Sequence, residues 1–136
     1  DKIKVRWDID GNLLDACIPV LTVQPLVENA VRHGIIPKEG RGCVTISAAS
    51  RSGILMVTVN DDGVGINPEA VPRLFLPGSG SGNGVALNNI QERIKLLFGN
   101  EHGLEVVSEL GRGTTVNISV PLIFTPYGNE VYTHEA

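Results

Sequence analysis

At 136 residues and 14.5 kDa, with 42% hydrophobic residues, the chain is sized for one domain that buries its own core without disulfide or metal staples. A net charge of −4, with no basic run and no basic–aromatic stripe, gives a nucleic-acid surface little support. No apolar run approaches the ~18 residues a membrane span requires and no signal peptide is visible, so we expect no direct membrane contact from this domain.

Cys17 and Cys43 lie far apart and fit no metal or redox spacing, as expected of two reduced thiols in a cytosolic domain. The chain opens on Asp1 rather than methionine and enters a strand pattern almost at once, so we expect it to be cut from something longer.

Residues 2–9, "KIKVRWDI", alternate strictly: Ile3, Val5, Trp7 and Ile9 face one way, which predicts a half-buried strand. From Pro19 to His33 the period is helical, with Val20, Val23, Val27, Ala30 and Val31 near one face and Gly34 as a C-terminal stop. Pro25 lies inside this pattern and lacks the N–H that bonds four residues back, so it either kinks the helix or marks a late start. Residues 43–49 and 54–60 read as strands joined by the turn "SRSG". Pro68 can open a short helix to about Leu74. The run "GSGSGNGVALNN" at 78–89 reads by composition as a flexible linker. Leu87, Ile90, Ile94 and Leu97 then space as a helix buried on one side and ending near Gly99. Strands at 104–109 and 114–120 follow, turned by "GRG", and the tail at 125–136 is polar and aperiodic, so we expect it to be loose.

Helices separated by pairs of adjacent strands predict an α+β two-layer sandwich, with a mixed, mostly antiparallel sheet and helices on one face. A P-loop or Rossmann unit would need its glycines directly between strand and helix, as G-x-x-x-x-G-K-[ST] or G-x-G-x-x-G, and neither pattern is present.

Four segments can carry chemistry. In "ENAVRHG", the neutral amide oxygen of Asn29 can ligate a hard cation such as Mg²⁺, or the residue is a core-edge asparagine. In "DDGVGI", Asp61 closes a strand before Gly63 and Gly65. Its carboxylate can accept a hydrogen bond from an exocyclic amine while the glycines admit a flat ring, which is a means of choosing adenine; otherwise it is a turn with a solvated acid. Gly82 and Gly84 precede a helix whose free N–H groups and positive dipole end suit a phosphate. In "GRGTTV", Gly111 and Gly113 lead into Thr114, whose hydroxyl either completes an adenine pocket or belongs to an ordinary hairpin.

Taken in order, "LTVQPLVENAVRHGI", "DDGVGI", "GNGVALNNIQERIKLLFG" and "GRGTTV" resemble the N box and three glycine boxes of the gyrase, heat-shock chaperone, histidine kinase and mismatch-repair ATPase superfamily. The resemblance covers roughly residues 2–122. More narrowly, "QPLVENAVRHGI" with "NNIQERIKLLFGNEHGLEVVSELGRGTTV" resembles the catalytic domain of sensor histidine kinases of the autolysis-regulator type. It implies the Bergerat fold over residues 1–124, with ATP and Mg²⁺ under a mobile lid from about Phe75 to Gly84. It departs at Ala86, where the second box normally carries a third glycine, and the added methyl narrows the approach to the phosphates.

The hydrolysing members of the superfamily place a water-directing glutamate four residues before the N-box asparagine. Here that position is Pro25, and Glu28 points about 100° away around the helix, as a surface acid or a catalytic one. The resemblance therefore implies a protein-histidine kinase domain that positions Mg-ATP for transfer to a histidine on a separate helical dimerisation domain. Arg32 and His33 would line the phosphate end or simply close the helix, and Arg73 would reach a γ-phosphate or face solvent. The acceptor motif, resembling P-H-F, surrounds none of His33, His102 and His134. The implied parent is a homodimer that signals to a response regulator, membrane-anchored with this domain in the cytoplasm. The alternatives are a nucleotide-binding interaction module without transfer activity, and a superfamily ATPase.

Overall fold

The computed structural model of the chain describes residues 2–13, 17–19, 23–76, 87–123 and 132–134. In chain order these form β1 (Ile3–Ile9), β2 (Cys17–Pro19), α1 (Val23–Asn29), β3 (Gly42–Arg51), β4 (Ile54–Asp61), α2 (Leu87–Phe98), β5 (Gly103–Glu109), β6 (Gly113–Pro121) and β7 (Tyr132–His134). A π-helical turn, Ala30–Ile35, extends α1, and 3-10 turns span Gly11–Leu13 and Pro68–Phe75.

The β3–β4 hairpin closes over Ser52 and Gly53, whose φ values of 53° and 78° form the left-handed pair that matches strand twist in a two-residue loop. Alternation along both strands then sends Val44, Ile46, Leu55, Val57 and Val59 to one face, where they are fully buried. β6 pairs with the other side of β4 and adds Val116, Ile118 and Val120. The sheet has five strands in the order β1-β3-β4-β6-β5; β1 runs parallel to β3 and the other pairs are antiparallel. This is the predicted mixed, mostly antiparallel sheet.

Both helices cover the apolar face: Val23, Leu26, Ala30 and Ile35 from the first helical segment, and Ile90 and Ile94 from α2, complete the core. The described part of α1 runs from Val23, and Pro25 lies in its first turn. Val20 lies outside the described residues.

Three expectations are corrected. Gly34 does not stop the helix: the chain continues through a π turn, in which the Ile36 N–H donates to the Val31 carbonyl at 2.9 Å, and Gly34 is buried inside it. Leu97 is 38% exposed, and Phe98 packs on the core in its place. At about 100° per residue, Phe98 returns to within about 20° of Leu87, while Leu97 falls about 80° short. Finally, Val5 and Trp7 are 45% and 56% exposed although they share the core-side face of β1. β1 is an edge strand, and its pairing with β3 does not bring the helices over it.

The Pro68–Phe75 turn is capped by Asn67, whose side chain accepts the Glu69 N–H at 3.0 Å. Within the tail, Tyr132–His134 pairs antiparallel with Cys17–Pro19; residues 124–131, 135 and 136 lie outside the described set.

Candidate functional site

The site forms at one end of the sheet, where strand register lines up four inward residues: Val44 of β3, Asp61 of β4, Thr114 of β6 and Ser108 of β5. Alternation sends two adjacent acids to opposite faces. Asp61 points inward and is 4% exposed. Asp62 points outward, accepts the Cys43 N–H at 2.8 Å and pairs with Lys38 at 3.5 Å.

A carboxylate this deep loses water, and desolvation raises its pKa above the ordinary 3.8; the nearby Asp62 charge adds to the rise. The backbone N–H groups of Gly63 and Thr114 and the charge of Lys38 oppose it. Gly63 N–H donates to Asp61 Oδ1 at 2.9 Å. Backbone donors thus hold the carboxylate in place, and its remaining lone pairs can take a further donor.

The glycines around Asp61 are required by close packing. A Cβ on Gly34 would stand 2.6 Å from Asp61 Oδ1. One on Gly63 would overlap the Gly34 carbonyl, and one on Gly113, at φ 111°, would overlap the Asp61 carbonyl. The segment after Asp61 is threaded between two others: the Val64 N–H donates to the Gly34 carbonyl at 3.1 Å, and the Gly111 N–H to the Val64 carbonyl at 2.8 Å. Gly65, at φ 74°, lies against the backbone of Glu109 and Leu110. Replacing Gly63 with alanine should therefore destabilise the fold by about 1–3 kcal/mol in chemical denaturation. Gly11, with no atom of the described residues within 4 Å of a built Cβ, should tolerate alanine within about 0.5 kcal/mol.

Of the residues singled out in the sequence, Asp61, Gly63, Gly65, Gly111, Gly113 and Thr114 come together here, joined by Gly34 from the end of the N-box segment. Asn29 is half-buried at the end of α1, and Arg32 and His33 are exposed on the π turn that leads from it to Gly34. Glu28 is exposed, with Gln24 Nε2 at 3.5 Å from its carboxylate. Arg73 is exposed on its 3-10 turn. Gly82, Gly84 and Ala86 lie outside the described residues, as does the lid from Pro77 onward. His102 is buried away from this site, 3.4 Å from Ser119 Oγ and edge-on to Phe98.

Sequence reading missed two residues. Gly34 was hidden because a glycine after a helical run normally signals a stop. Ser108 was visible only as a hydroxyl where the β5 alternation of Leu104 and Val106 calls for an apolar residue.

A buried carboxylate beside glycines and a threonine hydroxyl offers acceptors that can take a hydrogen bond from an amine on a flat ring. Residues 18–123 match the family described as histidine kinase-, DNA gyrase B-, and HSP90-like ATPases, and the chain belongs to it. Among its relatives, the sensor histidine kinase YpdA of Escherichia coli is 40% identical over 96% of this chain and 22% of its own length. The sensor protein LytS of Bacillus subtilis is 36% identical over 95% of this chain and 22% of its own length. The solved blue-light activated histidine kinase of Erythrobacter litoralis EL346 superposes with a TM-score of 0.60 at 26% identity, over 90% of this chain and 36% of that one. The fold is thus the α+β Bergerat ATP-binding fold of histidine kinase catalytic domains. The chain spans about a fifth of the length of these two curated relatives.

Proposed function

We propose that residues 1–124 are the ATP-binding catalytic domain of a two-component sensor histidine kinase, presenting Mg-ATP to a histidine on a separate helical dimerisation domain. The observation that carries this reading is Asp61, a carboxylate buried at the end of β4, held by backbone donors and flanked by Thr114. Asp61 accepts the exocyclic amine of adenine, and Gly63, Gly65 and Gly113 keep side chains out of the ring's path. Asn29 would supply one neutral oxygen to a bound Mg²⁺, a hard cation that favours oxygen ligands. When bound, the cation neutralises phosphate charge during transfer.

Pro25 separates kinase from hydrolase. It precedes Asn29 by about one helical turn and so shares its face, yet carries no group that can direct a water. Arg32 and His33 offer further charge and donors at the phosphate end. The parent's homodimer, its response regulator and a membrane anchor outside this domain belong to the same proposal. Among the described residues no helix is long and apolar enough to cross a membrane.

Titration with ATP and GTP in the presence of Mg²⁺ tests the assignment. ATP should bind at least about 10-fold more tightly, because the keto oxygen of guanine meets a carboxylate where adenine offers an amine. Equal affinity would refute the adenine role of Asp61. The lid assignment, from about Phe75 to Gly84, rests on the glycine-rich sequence beside a helix start. Amide exchange across Gly78–Gly84 should slow under a saturating non-hydrolysable ATP analogue, and unchanged exchange would return the run to a plain linker.

A further inference from the structure

Ser108 ties the β5–β6 hairpin to the segment after Asp61, 42 residues earlier in the chain. It is buried, at 9% exposure. Its Oγ accepts the Ile66 N–H at 2.7 Å, donates to the Gly113 carbonyl at 3.0 Å, and stands 2.7 Å from Thr114 Oγ1. A serine hydroxyl has one proton and two lone pairs. The proton goes to the Gly113 carbonyl, which can only accept. One lone pair takes the Ile66 N–H, which can only donate. The remaining contact, to Thr114, therefore has one polarity: Thr114 donates its hydroxyl proton and Ser108 accepts it. Thr114 is left with lone pairs alone, one strand from Asp61, whose carboxylate also only accepts when ionised.

We infer that Ser108 is a specificity-determining positioning residue: by taking the Thr114 proton it leaves only acceptors, Thr114 Oγ1 and the Asp61 carboxylate, to face the substituent at C6 of the purine, so that the wall accepts from an amine there and rejects a keto oxygen. The inference rests on the adenine reading of this site. Asp61 alone repels a keto oxygen, but a freely rotating Thr114 hydroxyl would turn its proton toward that oxygen and offset the repulsion. Ser108 removes that escape without touching the ligand.

The test compares ATP with ITP, whose hypoxanthine carries a keto oxygen in place of the amine and a proton on N1, and leaves the sugar and triphosphate unchanged. Dissociation constants are measured by calorimetry for the wild-type chain, Ser108→Ala, Ser108→Thr, Thr114→Val and the Ser108→Ala/Thr114→Val pair. The wild type should prefer ATP. Ser108→Ala should cut that preference about 10-fold, mainly by tightening ITP, and Ser108→Thr, which keeps the hydroxyl, should restore it. In the Thr114→Val background, Ser108→Ala should change the preference less than about two-fold, because its effect runs through the Thr114 proton. Equal weakening of both nucleotides by Ser108→Ala would mean a purely structural role and overturn the inference, as would an undiminished effect in the valine background. If Ser108→Ala does not fold, Thr114→Val decides alone: loss of the acceptor should lower the ATP preference, and an unchanged ratio overturns the proposal. A wild-type chain that binds neither nucleotide would instead refute the underlying assignment of the site.

Discussion

Replacing Asp61 with asparagine should weaken ATP binding roughly 10- to 100-fold, the loss of a buried hydrogen bond to a charged acceptor. The same change should raise the thermal midpoint of the nucleotide-free domain at neutral pH. The reason is desolvation, the largest influence on the group, which places its pKa above 3.8. Below that value the folded and unfolded chains both hold the proton, and the position adds no charge penalty. As pH rises, the unfolded chain ionises first, and the folded chain loses stability until the buried group ionises as well. The stabilising effect of asparagine should therefore vanish well below pH 3.8, grow as pH rises through the unfolded value and reach its maximum above the raised pKa. The amide can still accept the Gly63 N–H, so the loop keeps its anchor. Calorimetric titration gives the affinity, and melts across pH give the stability. Wild-type affinity in this variant, or a melting point that falls at neutral pH, would contradict the account of Asp61.

Asn29→Ala should abolish phosphoryl transfer while leaving the fold within about 1 kcal/mol, since the residue is half-buried at a helix end rather than in the core. Transfer has to be measured in trans. The chain alone should neither label itself from γ-labelled ATP nor hydrolyse ATP at a useful rate, because no acceptor motif surrounds its histidines and Pro25 stands where a hydrolase directs water. Adding the parent's dimeric helical domain should restore labelling of that domain's histidine, slowly, because tethering normally supplies the effective concentration. In that assay the alanine variant should drop at least about 100-fold, as expected for a lost metal ligand in a reaction carried by positioning and charge neutralisation. Rapid turnover by the isolated chain, unaffected at Asn29, would point to a hydrolase.

The strands and the polarity of their faces were legible in the sequence because a period of two needs only near neighbours. The β3–β4 hairpin, the inward Val57 and Val59, and the Pro68 helix start are set by local alternation, turn residues and capping. The motif order carried the family, since each box keeps residue types that its backbone geometry demands. What local pattern could not show was how far the opposing layer reaches. Val5 and Trp7 alternate as core residues do, yet lie at an edge the helices leave open. Leu97 and Phe98 are both apolar, and only the accumulated phase of α2 against the sheet selects Phe98.

The sequence by itself determined the five strands of the main sheet, the α2 helix and the glycine positions, and singled out Asp61 as the candidate acid, because strand alternation and backbone freedom are properties of adjacent residues; the short β2–β7 pair, which joins residues more than a hundred positions apart, left no such local signal. Tertiary structure alone decided why those glycines are needed and how the site's protons are ordered. Gly34 reads as a helix stop until the Asp61 carboxylate is placed against it. Ser108 reads as an interruption of β5 until Ile66, Gly113 and Thr114 converge on its single oxygen. Both roles arise from contacts between residues 27 and 42 positions apart, 34 with 61 and 66 with 108, where steric fit and donor–acceptor balance act across space rather than along the chain.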